Sequence, residues 1–161
     1  QALAKQQQIQ VLALFANEKT LDTLLLDLNR LVESSNTQVS ADAVKAKLKK
    51  YVPTGKAEPI TDGSLGSLVN GKLKHSSINI EIIGTYEQTQ LIFHNIERLQ
   101  PLLIVKDYQS SLVSEPTTQQ DKVMVGSVEP TVITTSFQLQ ALMPLSQEEV
   151  AAAKAVQSKT K

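Results

Sequence analysis

The sequence predicts an α+β fold, an antiparallel sheet with an amphipathic helix on one face, and residues 76–108 carry most of the case. They read SSINIEIIGTYEQTQLIFHNIERLQPLLIVKDY. Ile78, Ile80 and Ile82 alternate with Asn79 and Glu81, the period of a half-buried strand that Gly84 is expected to stop. From Tyr86 the period changes. Thr89, Ile92, Phe93, Ile96 and Leu99 fall at helical spacing on one face, with Glu87, Gln90, Glu97 and Arg98 on the other. Pro101 ends the helix, because its ring cannot continue one. The apolar run Leu102, Leu103, Ile104, Val105 is too short for a buried helix and branched enough for a strand. Strand, helix and strand joined by short turns make a sheet with a helix packed on it.

With 161 residues the chain can form one domain with a core, plus one extended element. The formal net charge is +0 and the isoelectric point about 6.9, which argues against a nucleic-acid binder. Aromatic residues make up 4%, little material for stacking bases. There is no Cys, so disulfides, thiolate metal sites and Cys nucleophiles are excluded together. No apolar run is long enough for a transmembrane helix. The chain begins with Gln1 and not Met. It therefore reads as a fragment or processed form, with a signal or membrane anchor expected ahead of it.

Residues 1–35 read as one long helix without Gly or Pro, roughly 50 Å long at 1.5 Å per residue. Leu14, Leu21 and Leu28 are spaced by sevens, with Leu24 and Leu31 three residues after the last two, filling the a and d positions of a heptad. Upstream the same register keeps Leu3 but places Gln7, Gln10 and Asn17 on the seam. Leu14, Asn17, Leu21, Leu24, Leu28 and Leu31 are thus the candidate partner-binding residues of a coiled coil, with Asn17 selecting register. Leu25, Leu26 and Val32 are expected to be exposed and to widen the stripe. The alternative is that the stripe packs on its own domain.

Residues 36–75 hold a short amphipathic helix, the start of a first strand and an irregular insertion. Ser40 is a candidate N-cap, with Ala43, Val44 and Leu48 inward. Lys45, Lys47, Lys49 and Lys50 form either a basic patch or a solvated face near a helix C-terminus. The first strand begins within 48–52, before Pro53. Residues 53–75 are rich in Gly, Pro, Ser and Thr, and Asn70 with Gly71 reads as a tight turn. Gly66, Gly71 and Lys72 match most of a phosphate-binding loop. Position 73, however, is Leu, and a strand rather than a helix follows.

The domain 76–144 continues with a third strand from Leu102 to about Val113 and a long mobile loop over 114–130. In the closing strand Ile133, Phe137, Leu139, Ala141 and Met143 alternate with Thr134, Ser136, Gln138, Gln140 and Leu142, giving one wet, uncharged face. Pro144 ends it. Residues 145–161 form a short helix and tail. Ser146 with Glu149 is a capping-box start, and a weak apolar face suggests fraying.

No catalytic, cofactor-binding or metal-ligating set is found. The two histidines, His75 and His94, lack ligand spacing and read as surface residues. Glu81 and Asp107 are lone carboxylates on different strands and need not meet. No G-x-S-x-G elbow occurs.

The stretch GTYEQTQLIFHNIERLQPLLIVKDY (84–108) resembles the PilO family of type IV pilus inner-membrane proteins. It is similar in its small-residue turn, Tyr, amphipathic helix with an Ile-Glu-x-Leu end, and following strand. ITTSFQLQALMP (133–144) is similar to the family's last strand, and the leading heptads to its coiled coil. The resemblance implies a ferredoxin-like domain in the periplasm, joined by a coiled coil to a transmembrane helix in the bacterial inner membrane. It implies a homodimer or a heterodimer with a PilN-like protein, and a complex with PilP- and PilM-like subunits. That complex would link the assembly platform to the outer-membrane secretin in pilus biogenesis and twitching motility, with no enzymatic role, no cofactor and no nucleic acid. The alternatives are a type II secretion component of similar architecture and, in a different class, a ferredoxin-like nucleic-acid-binding domain.

Overall fold

The computed structural model describes residues 3, 6–7, 10–11, 13–41, 43–113 and 130–157. In chain order these form α1 (Glu18–Asn36), β1 (Lys47–Pro53), β2 (Glu58–Pro59), β3 (Leu73–Thr85), α2 (Tyr86–Ile96), β4 (Leu103–Leu112), β5 (Val132–Pro144) and α3 (Gln147–Gln157). The five strands make one antiparallel sheet in the order β1-β3-β5-β4, with the short β2 also paired to β3. The loop expected over 114–130 lies, apart from Pro130, outside the described residues.

The long central strands β3 and β5 pair over their full length, from Leu73 opposite Pro144 to Thr85 opposite Val132. Their alternation sets the layers. Ile78, Ile80 and Ile82 are fully buried on one face, beside Thr135, Phe137, Leu139 and Ala141 of β5. Each buried isoleucine contributes about 1.5–3 kcal/mol. Both helices cover this face: Leu24, Leu28 and Val32 of α1 and Ile92 and Ile96 of α2 join the isoleucines, Phe137 and Leu139 in one core. Phe93 and Leu99 are partly buried against it. Because β5 lies between β3 and β4, those two strands are parallel and α2 is the crossover joining them.

The opposite sheet face is the wet one. Gln140 Nε2 donates to Gln138 Oε1 (3.0 Å) and Ser77 Oγ (3.3 Å), and Gln138 Nε2 donates to Asn79 Oδ1 (3.4 Å). One end of this face is covered. Ile60 and Val69 of the insertion, with Phe15 and Ile104, pack on Leu73 and Leu142. Gly71 has φ +69 in the turn leading to β3. The insertion is shorter than its composition suggests, because β2 sits inside it and β3 starts at Leu73.

Several expectations give way. Gly84 does not stop its strand; β3 runs through it to Thr85. A Cβ at 84 would lie 2.9 Å from Gln88 Oε1 and 3.0 Å from Ala46 Cβ, so the glycine serves close packing. Thr85 then caps α2 in a reciprocal box with Gln88. After Ile96 the chain tightens into turns, with Arg98 N bonded to Asn95 O and Leu99 N to Ile96 O, so α2 ends before Leu99. No helix follows Ser40. It closes only a turn, with Ala43 N donating to Ser40 O at 3.0 Å. Beyond it the lysine-rich stretch becomes β1, shifted by an irregularity between Leu48 and Lys50 that leaves Leu48 and Tyr51 on the core side.

One amide pair ties these segments together. Asn36 Nδ2 donates to Ala46 O (2.9 Å) while Ala46 N donates to Asn36 Oδ1 (2.7 Å). Gln88 Nε2 donates to Val44 O (2.9 Å) and Asn36 Oδ1 (3.3 Å), and Gln88 Oε1 accepts from Thr85 N (2.8 Å). Gln88 is 5% exposed, so its loss strands several buried groups. Gln88→Ala is expected to destabilise the fold by about 1–3 kcal/mol in urea unfolding. A change within error would show that water satisfies those groups equally well.

Candidate functional site

The heptad stripe is not one continuous seam. Residues 3, 6, 7, 10 and 11 are helical, but 13–15 form a turn and bend, 16 and 17 carry no regular structure, and α1 starts anew at Glu18. The cause is local and tertiary together. Asn17 Oδ1 accepts from Thr20 N at 2.9 Å, and Thr20 Oγ1 accepts from Asn17 N at 2.8 Å, a reciprocal cap that starts a helix. Ahead of it the backbone is laced to the sheet: Leu102 N donates to Leu14 O (2.9 Å) and Ala16 N to Leu142 O (2.8 Å). Asn17 is therefore a cap and not a polar seam residue.

The other seam residues divide. Leu24 (2% exposed) and Leu28 (0%) lie in the core, and Val32, expected outside, joins them at 4%. Leu21 and Leu31 pack partly against the same core. Leu14 is exposed in the turn. Over α1 the stripe is thus the helix's own core face. On the α1 side the exposed apolar residues include Leu25 and Leu26 on α1 and Val52 on β1, with Leu3, Val11 and Leu14 upstream.

Between α1 and β1 runs a groove of about 350 Å³ lined by Leu21, Asp22, Leu25, Tyr51 and Pro53. Burial raises the Tyr51 phenol pKa, and the Asp22 carboxylate adds to it, so the hydroxyl stays a hydrogen-bond donor here. Lys47, Lys49 and Lys50 lie along β1, the outer strand on this side. They occupy a strand edge, not a helix face. Charges there discourage pairing with another chain.

Chemistry-bearing residues are dispersed. Among the described residues no group of three His, Asp or Glu side chains converges to hold a metal, and no helix is long and apolar enough to cross a membrane. His94 is exposed on α2. His75 is half-buried, its Nδ1 without a hydrogen-bond partner. It lines a hollow of about 350 Å³ with Ile60, Asp62, Ile104, Lys106 and Gln140. The Asp62 carboxyl pKa is lowered by hydrogen bonds from the Ser64 hydroxyl and backbone. Glu81 and Asp107 share a feature, a shallow hollow on the wet face that includes Lys50 and Gln138. Asp107 reaches it from a left-handed backbone (φ +52) at the irregularity in β4. Lys72 leads into β3, so no helix N-terminus faces the loop holding Gly66 and Gly71. No protein-family model and no curated protein matches this chain.

The C-terminal helix is tethered. Lys74 Nζ meets Glu149 Oε1 at 2.7 Å, and Ser146 and Glu149 form the expected capping box. Hydrogen bonds from Lys74 and then Ser146 lower the Glu149 pKa from 4.5 to about 2. A depressed carboxylate pKa stabilises above the unfolded value and loses that contribution as pH falls through the folded one. Between pH 4.5 and about 2 the tether should release. Amide exchange in α3 should rise over that window in the wild type and already be high at neutral pH in Glu149→Gln.

The two sides of α1 should also separate by mutation. Leu28→Ala is expected to cost about 2–5 kcal/mol, the range for a buried Leu. Leu26→Lys should stay within about 0.5 kcal/mol of wild type. Urea titrations of both variants check the assignment, and equal losses would overturn it.

Proposed function

We propose that this chain is a non-enzymatic scaffold of the type IV pilus machinery, a PilO-like protein acting on the periplasmic side of the inner membrane. Two observations support this. The first is the similarity of 84–108 and 133–144 to that family's central and closing elements. The second, which carries the proposal, is topological. Leaving aside β2 and α3, the elements run α-β-β-α-β-β with strand order β1-β3-β5-β4. We read that order as supporting a ferredoxin-like sheet whose first strand has moved to the end of the chain. The scaffold holds partners at a set distance and passes conformational change between them, with PilN-, PilP- and PilM-like subunits as those partners. Coiled-coil contact with a second copy or a PilN-like protein falls to the apolar positions left exposed, Leu3, Val11 and Leu14 upstream and Leu25 and Leu26 on α1. A membrane anchor ahead of the chain would raise the effective concentration for such pairing.

Deleting the gene in its own bacterium is expected to abolish surface pili and twitching motility, with recovery from a plasmid copy. Normal motility in the deletion strain would overturn the proposal. Loss of protein secretion with pili intact would instead select the type II secretion component.

A further inference from the structure

Among the described residues the sheet has two edges, β1 with the short β2 on one side and β4 on the other, and they are treated differently. β1 carries Lys47, Lys49, Lys50 and Pro53, which discourage strand addition. β4 has Lys106 and Asp107 at its irregularity, and from there Tyr108, Gln109, Ser110, Ser111, Leu112 and Val113 are uncharged. This half of β4 is regular, pairing from Gln109 opposite Ser136 to Leu112 opposite Ile133. Val113 N donates to Val132 O at 3.0 Å. Backbone direction alternates along an antiparallel ladder, so Gln109 and Ser111 also turn toward β5. The N–H and C=O groups of Ser110 and Leu112 therefore face outward.

The side chains on the helix side of this edge are equally open. Tyr108 is 51% exposed and Leu112 68%. Tyr108 ends an aromatic row that begins in the core. Phe137 lies 4.8 Å from Phe93, and Phe93 meets the Tyr108 ring edge-on at 5.3 Å. Between α2 and β4 this leaves a groove of about 650 Å³ lined by Tyr86, Gln90, Phe93, Glu97 and Tyr108. Next to it Ser110 Oγ is bonded to buried Thr135 Oγ1 at 2.8 Å, which fixes the strand's rotation.

We infer that β4 is an interface for a second copy of this chain, joined antiparallel with its two-fold axis at Ser110. Symmetry makes the occupant specific. With Ser110 opposite Ser110 of the second copy, Tyr108 lies opposite Leu112 of the second copy, and the reverse. The outward backbone groups then pair, and each exposed leucine covers a tyrosine. No charge lies between Tyr108 and Val113, so the copies bring no like charges together, and Lys106 and Asp107 fall outside the paired stretch. The interface does not depend on the pilus proposal, nor on the N-terminal heptads.

The natural chain has no Cys, so Ser111→Cys gives one site for a nitroxide label. In the inferred register the two labelled backbones lie about 8 Å apart, from strand spacing and rise. The labelled full chain is expected to sediment as a dimer and to show dipolar broadening that disappears on dilution with unlabelled protein. Leu112→Lys in the labelled chain should weaken β4 pairing at least tenfold and remove the broadening, with unchanged thermal unfolding at dilutions where both proteins are monomeric. A monomer at every concentration, a dimer without broadening, or broadening that survives Leu112→Lys would each overturn the inference.

Discussion

The joint between Asn36 and Gln88 is the constraint on which the remaining arrangement depends. Asn36 ends α1, and its amide reads the backbone of Ala46 as a strand would, through one donor and one acceptor. Gln88 lies in the first turn of α2 and reaches both Val44 and the N-cap of its own helix. Four segments meet there: the end of α1, the lead into β1, the end of β3 and the start of α2. Each has backbone groups that its own regular structure leaves unsatisfied. Gly84 belongs to the same joint, because only a residue without a Cβ lets Ala46 and Gln88 close over β3. With the joint made, both helices are committed to one sheet face and the isoleucines of β3 have a cover.

That commitment explains what the heptads become. A helical stripe wants burial, and its period is indifferent to whether the cover is a partner helix or the chain's own sheet. Here Leu24 and Leu28 find Ile78, Ile80 and Ile82. The same commitment leaves β4 exposed. On that side α2 reaches only as far as the Phe93 ring above Tyr108. The outer strand on the α1 side is defended by lysines, and the one on the α2 side beyond the Asp107 irregularity is not.

Where partners are close in sequence, or where alternation is long, the fold was legible. The isoleucines of β3, the start of α2, the course of β5 and the Ser146–Glu149 box follow from spacing alone. Contacts distant in sequence were not legible. The stretch ahead of Asn17 contains neither Gly nor Pro, and its break is imposed by bonds to Leu102 and Leu142, far along the chain. A local signal was present, since Asn17 with Thr20 three residues on marks a helix start, but the heptad spacing competes with it. The strand expected within 48–52 is present as β1, but the residues leading into it look helical because lysine favours helices, and pairing with β3 starts the strand at Lys47. Thr135 is polar yet fully buried, its hydroxyl satisfied by Ser110 on a neighbouring strand. For the candidate surface, the period identified an apolar face of α1 but not what it packs against.

The break at 13–16 also determines where the upstream chain is joined to the domain. A continuous helix from residue 2 to 34 would join it only through the α1 core face. The observed chain differs. Leu14 O is held by Leu102 N, at the turn before β4, and Ala16 N by Leu142 O, near the end of β5. These two bonds fix the chain ahead of the Asn17 cap to the ends of adjacent strands, the start of β4 and the end of β5. Those strands are stiff along their length, because β5 is paired on both sides. The outer edge of β4, with Tyr108 and Leu112 exposed, lies on the same pair of strands. The segment ahead of the cap and the exposed edge are therefore held by one paired element of the sheet.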